Sequence, residues 1–96
     1  MSSWDESKRR RNLEVHRLDF VDAEAIWDCF TITREDVRRS YGERRWVTFG
    51  LMNGEVVVLV HTERSGSEPH IISLRKAERY EARYYFEAVQ AELGEG

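Results

Sequence analysis

Lys8, Asn12 and His16 stand four residues apart near the start of this 96-residue chain, so a helix there sets them along one face. Such a polar stripe can hold a phosphate and offer an imidazole for proton transfer near neutral pH. It can equally be a solvated face whose terminal histidine complements the helix dipole. A second group is spread over the later chain: Arg44, Trp46, His61, Thr62, Glu63, Arg64, Ser73, Arg75 and Lys76. Arginines clamp phosphate through paired N–H groups, an indole stacks on a base, and His or Glu moves a proton. These parts suit RNA cleavage without a metal. A base takes the proton of the ribose 2′-OH, and cations stabilise the charge building on phosphorus. The competing account makes Arg44–Glu63 a cross-strand ion pair and Trp46 a cover for the sheet. Spacing alone leaves both open.

Other chemistries lack their parts. The chain has no glycine-rich phosphate loop, no nucleophile elbow and no HExxH. Three scattered histidines and one cysteine give no metal-ligand spacing, so neither a metal nor another cofactor is expected. Tyr80, Tyr84 and Tyr85 read as packing residues of a helix rather than as a stacking platform.

The elements that must position these residues fit one small domain spanning residues 1–96. A chain of this size buries roughly two-thirds of its unfolded surface, enough for one modest core. With 41% hydrophobic and 34% charged residues it is neither a disordered tail nor a membrane protein. No apolar run approaches the roughly 20 residues of a membrane span, and the opening residues do not begin a signal peptide. The lone Cys29 suits a reducing compartment and reads as a small core residue, so the expected location is the cytoplasm. The net charge of −3 is uneven. Residues 1–20 and 31–50 are basic, whereas residues 21–30 carry only the acids Asp22, Glu24 and Asp28. That pattern suggests a localised anion site rather than a protein that coats nucleic acid.

Asp5 to His16 reads as a helix, capped by Asp5 or by a Ser3–Glu6 box, with Leu13 its core anchor. Phe20 to Cys29 is a short second helix, with Phe20, Ala23, Ile26 and Trp27 at helical spacing. Phe30 to Ile32 is a candidate strand, and 33–42 a charged connection. Asn53-Gly54 supplies the positive-φ pair of a type I′ turn. That turn pairs Met52 with Glu55, Leu51 with Val56, Phe49 with Val58 and Val47 with Val60. Alternation then assigns Val47, Phe49, Leu51, Val56, Val58 and Val60 to the core face. Trp46, Thr48, Val57, Leu59 and His61 take the other face, with Arg44 opposite Glu63. After a turn at 65–69, a strand at 71–75 places Ile72 and Leu74 in the core and Ser73 and Arg75 beside Trp46 and His61. Residues 77–93 form a closing helix with more apolar surface than a small sheet needs, which suggests partner contact. The last three residues are a frayed end.

These residues resemble the BrnT toxins, the ribonuclease half of BrnT–BrnA type II toxin–antitoxin modules, whose fold resembles RelE. The family opening runs roughly W-D-x-x-K-x-x-x-N-x-x-x-H-G, and Trp4, Asp5, Lys8, Asn12 and His16 fall on it. Glu43, Arg44 and Gly50 resemble its E-R-x-x-x-x-G, with Arg45 an alternative arginine. Thr62 and Arg64 match T-x-R; Ile71, Ile72, Ser73, Arg75, Ala77, Glu81 and Tyr85 match I-I-S-x-R-x-A-x-x-x-E-x-x-x-Y. Two departures stand out. Arg17 replaces the glycine after His16, where a non-glycine residue at positive φ costs on the order of 1 kcal/mol, so a differently built turn is expected. His70 stands where a basic residue often precedes I-I-S, which would weaken or pH-tune a phosphate site.

The resemblance implies an α+β, RelE-like antiparallel sheet with helices packed on one face and RNA bound on the other. It implies a cytoplasmic toxin that cleaves RNA and is neutralised by a BrnA-like ribbon-helix-helix antitoxin. Operator DNA would be bound only through that antitoxin, and a toxin dimer forms within the complex. His16, Arg64 and Arg75 are the expected catalytic residues. Lys8, Asn12, Arg44, Trp46, Thr62, Ser73, Lys76 and Glu81 are expected to bind or position RNA. The rivals are a non-catalytic module kept for its antitoxin complex and transcriptional control, and a plain RNA-binding domain.

Overall fold

Asp5 starts the first helix. Its backbone is extended, and its carboxylate accepts the Ser7 N–H at 2.9 Å and the Ser7 hydroxyl at 2.7 Å. Ser3, the other candidate cap, lies instead in a two-residue strand. The computed structural model describes residues 2–38, 42–64 and 68–94, the side chain of Arg64 excepted. Their elements are β1 (Ser3–Trp4), α1 (Glu6–His16), a 3-10 helix (Phe20–Asp28), β2 (Ile32–Glu35), β3 (Trp46–Met52), β4 (Glu55–Arg64), β5 (Glu68–Lys76) and α2 (Arg79–Gly94). The strands form one mixed sheet in the order β1-β5-β4-β3-β2. The last four pair antiparallel, and β1 runs parallel to β5 along its edge. The α+β class expected from the sequence is the one observed.

The hairpin register is as derived. Met52, Leu51, Phe49 and Val47 face Glu55, Val56, Val58 and Val60, and Trp46 faces His61. Asn53 and Gly54 both take positive φ, 53° and 78°. Of the second turn, read at 65–69, residues 65–67 lie outside the described residues, whereas Glu68 and Pro69 already belong to β5; a register shift beside Val60/His61 sets Ile71 rather than Ile72 opposite His61.

The core lies on the opposite face from the one alternation suggested. Phe20, Ala23, Ile26, Met52, Val57, Leu59, Ile71 and Leu74 form it, with Trp4 and Leu18 packed against them. The strand β4 is apolar from Val56 through Val60, so hydropathy gives neither face priority. The small residues decide. A Cβ on Gly50 would lie 2.5 Å from Ile26 Cγ2, so the 3-10 helix rests directly on β3 where no side chain intervenes. Phe20, Ala23 and Ile26 recur every three residues, the period of a 3-10 helix, and all three are fully buried.

Three other expectations are corrected. Leu13 is 40% exposed, and the buried residue of α1 is Asn12. Cys29 is exposed rather than packed in the core. Strand β2 runs from Ile32 to Glu35, so the first three residues of the supposed charged connection are a sheet edge. Helix α1 and the 3-10 helix cover one face, while α2 reaches over the other, where Tyr84 meets Phe49 with ring centroids 5.8 Å apart. Among the described residues no helix is long and apolar enough to cross a membrane.

Candidate functional site

On the face away from the core, Val47, Phe49, Val58 and Val60 floor a cavity of 690 Å³. Its walls come from three elements: Arg34 and Arg38 from β2 and the segment after it, Ser73 and Arg75 from β5, and Tyr80, Glu81 and Tyr84 from α2. Arg34 stacks over the Tyr84 ring at 4.8 Å and donates to its hydroxyl. Arg38 bonds Asp36 at 2.8 Å. Arg75 donates twice to Glu81, at 2.8 and 2.9 Å, and Glu81 also accepts the Glu78 N–H at 2.8 Å at the start of α2. The bond to Arg75 holds the Glu81 carboxyl below its ordinary range, and the same bond raises Arg75. One carboxylate thus fixes the guanidinium and caps the helix.

Beside this cavity lies a second, of 380 Å³, lined by Lys8, Arg11, Asn12, Val15, His16, Ile72 and Ser73. Ser73 lines both. The junction is built by Asn12, which is only 6% exposed. Its amide donates to Leu74 O at 2.8 Å and Leu18 O at 3.0 Å, and its oxygen accepts the Leu74 N–H at 3.0 Å. This pairing docks α1 on the edge of β5 and leaves Lys8 and His16, one turn to either side, exposed at the cavity. Asn12 therefore spends its polar atoms on backbone rather than offering them to phosphate.

The other expected residues divide between the two sheet faces. Ser73 and Arg75 stand opposite Val60 and Val58, on the cavity face. Trp46 and His61 form a pair on the core side, so the single polar face joining all four does not exist. There His61 bonds Thr48 Oγ1 at 2.8 Å, and Arg44 lies 4.9 Å over the Trp46 ring. Arg44 pairs with Glu35 at 3.1 Å rather than with Glu63. Lys76, opposite Val57, bridges to Glu55 at 3.3 Å. Thr62 is buried. Arg64 ends β4 opposite Glu68, and its side chain lies outside the described residues. His70 bonds Ser3 Oγ through Nδ1 at 2.8 Å, across the β1–β5 edge. Among the described residues no three His, Cys, Asp or Glu are grouped to hold a metal ion.

Residues 4–81 match the family model for the ribonuclease toxin BrnT of type II toxin–antitoxin systems. The chain belongs to the BrnT family. The crystal structure of the Brucella abortus ribonuclease toxin BrnT has the same fold, with a TM-score of 0.59 and 28% identity over 82% of this chain and 99% of that one. No curated protein matches the chain. For a BrnT-family chain, the sequence reading missed Arg11, Arg34, Arg38 and Tyr84 as cavity residues. Arg34 was within reach: β2 pairs it with Val47, but only once β2 is placed on the sheet. Tyr84 has the opposite history, since helical spacing made it look like core while it stands at the cavity wall.

Proposed function

We propose that this BrnT-family chain is a metal-independent endoribonuclease toxin whose RNA crosses the two cavities that meet at Ser73. The single observation carrying this reading is that Ser73 lines both: Lys8, Arg11 and His16 stand on one side of it, Arg75 and Arg34 on the other. Cations from α1, β2 and β5 bordering an apolar floor suit a phosphate chain with an adjoining unstacked base. In the proposed step His16 takes the proton of a ribose 2′-OH. The 2′ oxygen then bonds to phosphorus, the bond from phosphorus to the 5′ oxygen breaks, the departing 5′ oxygen takes a proton from solvent, and Arg75 with Arg64 stabilises the charge on the phosphoryl oxygens. Lys8 positions the strand, Ser73 adds a hydroxyl, and Glu81 orients Arg75. Arg44, Trp46, Thr62 and Lys76 lie outside these cavities and have at most a supporting role in this scheme. The toxin acts in the cytoplasm and is neutralised by a BrnA-like ribbon-helix-helix antitoxin. Operator DNA is reached through that antitoxin, in a complex holding a toxin dimer.

One observation favours a non-catalytic binding module instead: Arg75 already has a bidentate partner in Glu81. Purified chain incubated with single-stranded RNA and excess chelator separates the two. The enzyme reading expects new fragments ending in 2′,3′-cyclic phosphate and 5′-hydroxyl, and their loss in folded His16→Ala and Arg75→Lys variants. RNA retained without new ends supports the binding module, and cleavage abolished by chelator refutes metal independence.

A further inference from the structure

On the core side of the sheet, away from the RNA-binding face, lies a cavity of 450 Å³. We infer that it is a docking pocket for an arginine side chain of a protein partner. Glu24 and Trp27 of the 3-10 helix, Thr33 of β2, His61 and Glu63 of β4, and Ser2 line it. Three independent features point to a guanidinium.

The first is charge. Glu24 and Glu63 supply carboxylates, and the adjacent 3-10 helix contains the acids Asp22, Glu24 and Asp28 and no base. Arg44, which feels the charge of Glu63, is bonded to Glu35. The second is an aromatic wall: Trp27 is 36% exposed, and an indole face is the best platform for a planar cation. The third is an unpartnered atom. His61 is only 5% exposed, and its Nδ1 has no hydrogen-bond partner among the described residues. Ser2 Oγ, at the same cavity, is likewise unpartnered. A buried polar atom without a partner is costly, and two around one cavity are an invitation to a polar ligand.

The hydrogen-bond chain behind His61 suits a ligand that only donates. Thr33 Oγ1 and Thr48 Oγ1 lie 2.8 Å apart, and Thr48 Oγ1 lies 2.8 Å from His61 Nε2. When Nε2–H donates to Thr48 and Thr48 donates to Thr33, Nδ1 is left as an acceptor. Burial keeps the imidazole neutral near pH 7, which that acceptor role requires. Trp27 stands edge-on to His61 with centroids 5.7 Å apart and shifts to admit the guanidinium, which then stacks on the indole, pairs with Glu24 or Glu63, and donates to Nδ1.

This inference stands apart from the RNA reading and is tested without RNA cleavage. The isotope-labelled full chain is titrated with N-acetyl-arginine amide, with the citrulline analogue as an uncharged control, and followed by NMR. Saturable shifts of the Trp27 indole N–H and the His61 ring are expected with arginine and not with citrulline. A Glu24→Gln, Glu63→Gln double variant, changed only at exposed side chains, should bind about fivefold more weakly. Absent shifts, equal response to citrulline, or undiminished affinity in the double variant would each overturn the proposal. So would the same resonances moving on addition of single-stranded RNA instead.

Discussion

Arg17 carries a local conflict that its neighbours impose. It closes α1 with φ 61° and ψ 25°, and its N–H donates to Leu13 O at 3.0 Å. The turn is therefore built with the left-handed geometry that suits glycine, not rebuilt around the arginine as the sequence reading expected. A side chain there costs about 1–2 kcal/mol, while glycine would add about 0.4–1 kcal/mol of unfolded-state entropy. Arg17→Gly should therefore stabilise the fold by up to about 1 kcal/mol, seen as a higher urea midpoint at unchanged slope. A lower midpoint would mean that the arginine side chain contributes more than its backbone costs. At this scale the sequence was only partly legible. The spacing of Lys8, Asn12 and His16 gave the right helix face, but the burial of Asn12 depends on Leu74, 62 residues later. Nothing local distinguishes an asparagine that binds an anion from one that pairs with a distant strand edge.

The elements show the same division between local and distant causes. The hairpin was readable to the residue because Asn53-Gly54 fixes the turn and the turn fixes the register. Which face became the core was not, because an unbroken run from Val56 to Val60 satisfies either side. The deciding contact is the close seat of the 3-10 helix on Gly50. Gly50→Ala should accordingly cost about 1–3 kcal/mol, since the new methyl meets the branched side chain of Ile26 and the helix must lift. Thermal unfolding of that variant, of Ile26→Ala, which removes the clashing Cγ2, and of the double variant gives the check. The smaller partner should relieve part of the clash, so a sum of the two separate costs without relief would rule this packing account out.

Across the whole molecule, the two faces of the sheet divide the electrostatics. The cavity face gathers arginines, each drawn toward a carboxylate or a tyrosine, while the core side hides a histidine under Trp27 beside acids. This division has a consequence in acid. Burial pushes the folded pKa of His61 below the ordinary imidazole value of about 6.5, only partly countered by Glu63. As pH falls through that value the unfolded chain takes a proton that folded His61 refuses, so stability is complete above it and declines below it. Asp19 and Glu81 lie below their ordinary ranges because Arg9 and Arg75 bond them, so their contribution persists to lower pH and is lost as they protonate. Urea midpoints should therefore fall in two stages, the first between about pH 7 and 5 and the second below about pH 4. His61→Gln keeps a polar group near Thr48 and removes the imidazole. It should flatten the first stage and leave the second, whatever its effect on stability at neutral pH. A first stage of undiminished size in that variant would mean that His61 is not the buried neutral base that this side of the sheet is built around.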